Sequence, residues 1–290
     1  MKDDSTPRRP SEADLIDPTM AGLLPHGAVI RHIAFVTDAS SNQEVVLDFP
    51  PAIRRRAVVA TTTADLSILS IPLSADDAMV TPSASVIQAM RLWVESAASP
   101  GEPLCVWMTF QGAHVIWARG RCAVMAQPDR LEAVQRSLIE ASFYDAEMRD
   151  IELAVGKAWP QLEADAPFAF EVEGTSARTR TQLRHGLQQV LLLRARLARI
   201  EPFVEGTSVH PPTLASQVSE RLRERIRVTP RLEALESQLE VFDDVYGMCG
   251  QRVSDSILAR KGYALEWTII TLLAIQLVLW IFELLTATGA

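Results

Sequence analysis

Five histidines (His26, His32, His114, His185, His210) and three cysteines (Cys105, Cys122, Cys249) are the side chains of this 290-residue chain best suited to metal or nucleophilic chemistry. Their spacing does not serve it. Zinc sites draw on pairs of Cys or His a few residues apart, and no histidine here stands at that spacing from another histidine or a cysteine. His114 falls in a predicted strand and reads as a core or surface residue. Asp76-Asp77 and Asp243-Asp244 are adjacent carboxylates, but helix neighbours point about 100° apart, so both read as solvated surface. The chain contains no phosphate-cradling glycine loop, no dinucleotide fingerprint and no nucleophile-elbow serine. These residues support a protein that is not an enzyme, with no catalytic residues, no metal and no cofactor. The cysteines are odd in number and far apart, which favours a reducing compartment over a disulfide scaffold.

Charge is more informative. The net charge is −8, yet between Arg178 and Arg231 eleven arginines face four glutamates, Glu201, Glu205, Glu220 and Glu224. That local excess of seven leaves about −15 on the rest of the chain. Arg221, Arg223, Arg225 and Arg227 form the densest run and are candidates for polyanion contact, with RNA, a ribosome or anionic lipid as the partner. Pairing with the acidic N-terminal part is the alternative.

The elements that must position these residues begin after a leader. Residues 1–22 carry Pro7, Pro10 and Pro18 among charges and read as disordered, with no apolar stretch of signal-peptide length. Gly27–Val36, Glu44–Phe49 and Arg56–Thr63 are short, rich in β-branched residues, and read as strands. A helix follows Pro82, with Thr81 as its cap and Val86, Met90, Trp93, Val94 and Ala97 at helical spacing. Leu104, Val106, Met108 and Phe110 alternate with Cys105, Trp107 and Thr109 up to Gln111-Gly112, which predicts a hairpin continued by Ala113–Trp117. Arg121–Met125 reads as a further strand, and Pro128-Asp129 opens a helix through Leu131, Val134, Leu138 and Ala141. Ala177–Ile200 is one amphipathic helix, and Val218, Leu222 and Ile226 mark another. Thr229-Pro230 then starts a helix in which Leu232, Leu235, Leu239, Phe242, Tyr246, Cys249 and Val253 recur at alternating steps of three and four. That is a heptad seam, open to two coverings: the chain's own domain, or a second copy in a homo-oligomer.

Trp267–Phe282 (WTIITLLAIQLVLWIF) is uncharged. Its sixteen residues rise about 24 Å as a helix, and Tyr263–Leu265 and Leu284–Thr288 extend it toward the ~30 Å hydrocarbon thickness. Trp267 and Trp280 lie where interfacial aromatics belong, with Glu266 and Glu283 near the headgroups. Arg252, Arg260 and Lys261 precede the span and no basic residue follows it. The positive-inside bias therefore places the bulk of the chain in the cytoplasm.

Leu265-Glu266-Trp267, followed by isoleucines and an aliphatic run to Glu283-Leu284-Leu285, resembles the point where the chain enters the membrane in the "required for meiotic nuclear division" family. Phe110-Gln111-Gly112-Ala113-His114-Val115-Ile116-Trp117 is similar to that family's aromatic–x–Gly–apolar–Trp hairpin, and Ala57–Leu69 is weakly similar to its opening strand. Glu236-Ser237 stands near the family's Leu-Asn pair, and Gln276 replaces an acidic residue common in its membrane helix, which marks a divergent member. The resemblance implies a membrane-anchored, non-enzymatic protein that assembles with itself, and a role at translation like that of the family's mitochondrial members.

Together these readings predict an α+β domain over residues 23–175, a basic, partly coiled-coil helical stalk over 176–262, and one transmembrane helix over 263–288. The expected location is the cytoplasmic (inner) membrane, single-pass. The expected function is a scaffold or tether that holds a cytoplasmic partner at the bilayer. A membrane-anchored ligand sensor signalling through the stalk is the other reading.

Overall fold

A computed structural model describes residues 27–37, 43–60, 63–73, 83–96, 105–170, 177–206 and 213–288; the side chains of Ala177, Ser256, Arg260 and residues 281–288 are outside the described set. The predicted leader, Thr81, Pro82, Ala97, Leu104 and the Asp76-Asp77 pair also lie outside it. The chain is mixed α+β: the described residues form one seven-stranded sheet and five helices, the last of them long. The strands are β1 Val29–Val36, β2 Val45–Asp48, β3 Arg56–Val59, β4 Leu66–Pro72, β5 Val106–Phe110, β6 Ala113–Ala118 and β7 Arg121–Ala126. The helices are α1 Ala84–Glu95, α2 Pro128–Asp165, α3 Ala177–Glu205, α4 Leu214–Arg225 and α5 Val228–Thr288.

The sheet runs β2-β3-β1-β4-β7-β6-β5, antiparallel throughout except for the parallel pair β4 and β7. Strand β4, Leu-Ser-Ile-Leu-Ser-Ile-Pro, was not expected from periodicity. It sits at the centre of the sheet and is buried on both faces, so its apolar residues do not alternate regularly with polar ones. Leu69 and Ile71 meet Met90, Trp93 and Val94 of α1 in one core cluster. Ser70 lies on the opposite face, where Gln135 of α2 donates to its hydroxyl at 2.5 Å. The predicted hairpin is β5–β6, paired from Val106↔Trp117 to Phe110↔Ala113. Gln111 (φ 46°) and Gly112 (φ 81°) are both left-handed, as a two-residue type I′ turn requires. Ser83, not Thr81, is the residue before α1. The last helix opens one residue before Thr229, behind Arg227 at φ 55°, with Pro230 in its first turn.

The chain divides into two compact units that differ from the linear division read on the sequence. One comprises Met1–Asp150 with Leu197–Glu233, and the other Ile151–Arg196 with Ala234–Ala290. Much of the basic segment therefore belongs with the sheet. The continuation of α2 to Asp165 moves the second half of that helix into the all-helical unit.

In the sheet unit the central polar contact is Asp145, 3% exposed on the core face of α2. It accepts from Arg119 Nε at 2.9 Å, in the β6–β7 turn, and from Arg231 Nη1 at 2.5 Å, in the first turns of α5. Nearby, Trp117 donates to Ser142 at 2.8 Å, and Phe35, Phe49, Phe143 and Tyr144 pack ring against ring. Removing one partner of a buried ionic set leaves the others uncompensated, at about 3–5 kcal/mol. Asp145→Ala should therefore lower the urea midpoint by that equivalent, and Asp145→Glu should not restore it, because the longer side chain cannot meet both guanidinium groups from the same site. A midpoint within 1 kcal/mol of the parent, by the scale of an exposed pair, would show that the triad is dispensable.

Candidate functional site

The most exposed apolar surface of the chain is the C-terminal half of α5. Every described residue from Lys261 to Trp280 is exposed. Ile269, Ile270, Leu272, Leu273, Ile275, Leu277, Val278 and Leu279 lie on all sides of the helix, each more than half exposed. The two threonines in this stretch are satisfied internally: Thr268 and Thr271 hydroxyls donate to the carbonyl oxygens of Ala264 and Trp267 at 2.7 Å. Both hydroxyl donors are thus bonded to the helix's own backbone. The helix continues to Thr288, so the 26 residues from Tyr263 rise about 39 Å and overcome the shortness of the sixteen-residue core. This is one helix long and apolar enough to cross a membrane. Leu265, Glu266, Trp267, Trp280 and Lys261 are all uncovered on it, while the Arg260 and Glu283 side chains lie outside the described residues.

The heptad face upstream is filled within the chain. Leu232, Leu235, Leu239, Phe242, Tyr246 and Cys249 are each at most 3% exposed, and Val253 is half-buried. In the helical unit Trp159 of α2 sets its ring edge on Phe242 at 4.9 Å and donates to Gln238. Tyr246 donates its hydroxyl to Asp165 at 3.2 Å. Of the two coverings that the spacing left open, the structure shows this face buried within one chain, with Trp159 of α2 on Phe242 and Gly186 of α3 against Tyr246; a heptad spacing does not say which helices fill it.

Asp165 anchors that packing. It is fully buried and accepts from Gln161 at 2.9 Å, Gln182 at 2.7 Å and Tyr246, all neutral donors. Burial and the adjacent carboxylate push the Tyr246 phenol up from its ordinary range. Sequence reasoning missed Asp145 and Asp165, though a signal was present. Leu138, Ala141, Asp145 and Met148 run at steps of three and four, so an acid occupies a core position.

The four arginines do not form a stripe. Arg221 pairs with Glu224 one turn along α4, and Arg223 donates to the Gly206 carbonyl oxygen at 3.4 Å. Arg225 is exposed. Arg223 and Arg227 line a cleft of about 1010 Å³ in the sheet unit, together with Glu140, Glu205, Glu220 and Glu224. Burial pushes the Glu140 carboxyl up and nearby Arg223 opposes the shift. Arg223 therefore sits among acids of its own unit. Behind Glu140, the Tyr144 hydroxyl is buried without a hydrogen-bond partner.

The remaining chemical side chains are dispersed. His32 Nδ1 shares a hydrogen bond with Ser67 at 2.8 Å, and His114 Nδ1 one with Thr109 at 3.1 Å. Burial lowers the His114 pKa. Burial raises all three thiols, Cys105 up to about 11, so they are held as thiols and not as nucleophilic thiolates at neutral pH. Among the described residues no group of three or more His, Cys, Asp and Glu side chains could hold a metal ion. His26 and His210 lie outside those residues. Asp243 of the adjacent acidic pair takes Arg194 Nη1 at 2.7 Å, an exposed pair.

Leu235→Asp with Leu239→Asp inserts two carboxylates into a covered face, at several kcal/mol each. The expected result is loss of cooperative unfolding and of near-ultraviolet circular dichroism from the helical unit. A folded chain of lower mass in sedimentation would instead mean that these residues join copies. Tyr144→Phe removes a buried hydroxyl that has no partner, so it should leave thermal stability unchanged or raise it; a loss above about 1 kcal/mol would show that the hydroxyl is satisfied.

No protein-family model, no curated protein and no solved structure matches this chain. The reading of its sites rests on the geometry.

Proposed function

We propose that this protein is a non-enzymatic tether: a single-pass protein of the cytoplasmic membrane whose α+β unit lies in the cytoplasm and holds a partner at the bilayer. The observation that carries this reading is the uncovered, all-round apolar α5 from Trp267 to Trp280. A flat interfacial helix needs a polar face, and this stretch offers only Gln276 and two threonines bonded to their own backbone. Arg252 and Lys261 before the span, with no basic residue after it, support the cytoplasmic side for the sheet unit. A translation-related partner, as the family resemblance implies, belongs to the same proposal.

The ligand-sensor reading is favoured by a different feature, the cleft that gathers Arg223 and Arg227 with four glutamates in the sheet unit. A cleft with convergent polar side chains suits a small ligand better than a long polyanion.

Two measurements test these readings. Deleting residues 263–290 should move the chain from the carbonate-resistant membrane fraction to the soluble fraction with unchanged near-ultraviolet circular dichroism, and a full chain that is soluble without detergent removes the anchor. Changing Arg221, Arg223, Arg225 and Arg227 together to glutamine should weaken binding to RNA or anionic vesicles and flatten its salt slope if they meet a polyanion. Unchanged binding with a lowered melting temperature would assign these arginines to pairing within the sheet unit.

A further inference from the structure

A second concavity, of about 990 Å³, lies in the helical unit between α2 and α3. Its floor exists because side chains are missing. Gly186 packs so closely on Tyr246 that a Cβ there would come within 2.5 Å of the ring, and Ala154 and Ala158 contribute one methyl each. Leu192 and Leu193 line one end, the first of them 60% exposed, with Arg196 a turn beyond. The lining carries the cations Lys157, Arg178 and Arg196 and no aspartate or glutamate. Asp165 lies behind the floor, and it takes the donors of Gln161, Gln182 and Tyr246.

Size selects the occupant. From Arg178 to Arg196 α3 rises about 27 Å, and a partner helix of that length, about 10 Å across, would fill roughly 2,000 Å³, twice the space. An acyl chain spans half of the ~30 Å hydrocarbon core, about 15 Å, and fits with room for a headgroup in a space at the upper end of ligand-pocket volumes. Charge selects an anion. Tyr246 stands seventeen residues before Tyr263, about 25 Å along α5, so a ligand must leave the bilayer to arrive. One acyl chain is held only marginally by a membrane, whereas two anchor stably.

We propose that this trough binds a single-chain anionic lipid, a long-chain fatty acid, with its carboxylate at Arg178 and its chain running over Gly186 and Phe242 toward Leu193. The choice of a single-chain lipid rests on the proposed anchor, and one experiment separates the two. The full chain in phosphatidylcholine nanodiscs is exposed to palmitic acid carrying a chain diazirine, or to the corresponding diazirine hexadecanol, then illuminated and mapped by mass spectrometry. The fatty acid should label peptides covering residues 154–161 and 182–193, with competition by unlabelled palmitate, and the alcohol should not. Arg178→Gln and Lys157→Gln should each weaken that labelling about fivefold, from the attraction of one cation near an anionic group, without lowering the melting temperature. Ala158→Trp should abolish it by filling the trough; if that variant does not fold, the two charge variants decide. Equal labelling by acid and alcohol, labelling unchanged in both charge variants, or labelling confined to residues 263–288 overturns the proposal. In the last case the anchor stands alone, and labelling of the trough without the span would show the converse.

Discussion

Helix α2 buries a carboxylate in each unit, and the arrangement of the chain turns on that constraint. Asp145 and Asp165 both sit where the heptad pattern of α2 calls for an apolar residue. A buried carboxylate is costly unless hydrogen-bonded donors surround it, so each must collect partners from segments remote in sequence. Asp145 takes Arg119 from a strand turn and Arg231 from the start of α5. Asp165 takes Gln182 from α3 and Tyr246 from the middle of α5. Buried polar sets of this kind add little net stability compared with apolar packing, but they penalise every arrangement that leaves the charge alone. In α5, a regular heptad helix that could slide by a turn, Arg231 and Tyr246 give each unit one register at which its carboxylate is satisfied.

Legibility in the sequence followed the range of the interaction. The β5–β6 hairpin could be read because alternation and a Gln-Gly turn are local facts, and the structure places both where expected. Strand β4 could not, because burial on two faces erases the alternation that marks a strand. The leucine spacing of α5 announced a covered face, but periodicity carries no information about which helix covers it. The interleaving of the two units was equally hidden. It depends on where α2 ends, and the apolar pattern of that helix persists past Asp150 without a break while a proline at 160 suggests an earlier stop.

The candidate sites divide in the same way. The apolar span of α5 is compositional, so sequence alone located it. The trough between α2 and α3 is a matter of absence: one glycine against one tyrosine ring and two alanines a turn apart. Nothing in the sequence near Gly186 distinguishes it from a glycine that merely weakens a helix. Its meaning appears only when Tyr246, sixty residues later, is placed on it.

Arginine outnumbers lysine by 25 to 3 in this chain, and in the sheet unit the preference has a physical use. Asp145 needs donors at a buried position, and a guanidinium offers several in a fixed plane and sheds its weaker hydration more readily than an ammonium. Arg121 shows the same property, stacking 5.0 Å over Trp93 while donating to the Trp93 carbonyl oxygen and the Ser96 hydroxyl at the end of α1. Arginines of this kind are structural members, and among those between residues 178 and 231 Arg231 is one. Others of that segment line two concavities, and several, such as Arg184, Arg199 and Arg225, are simply exposed. Arg223 and Arg227 stand among glutamates, where the charges largely cancel. Lys157, Arg178 and Arg196 line a trough whose floor is largely apolar and whose lining holds no aspartate or glutamate. The count of arginines is therefore a poor guide to where an anion would bind, and the local balance of signs over apolar surface is the better one.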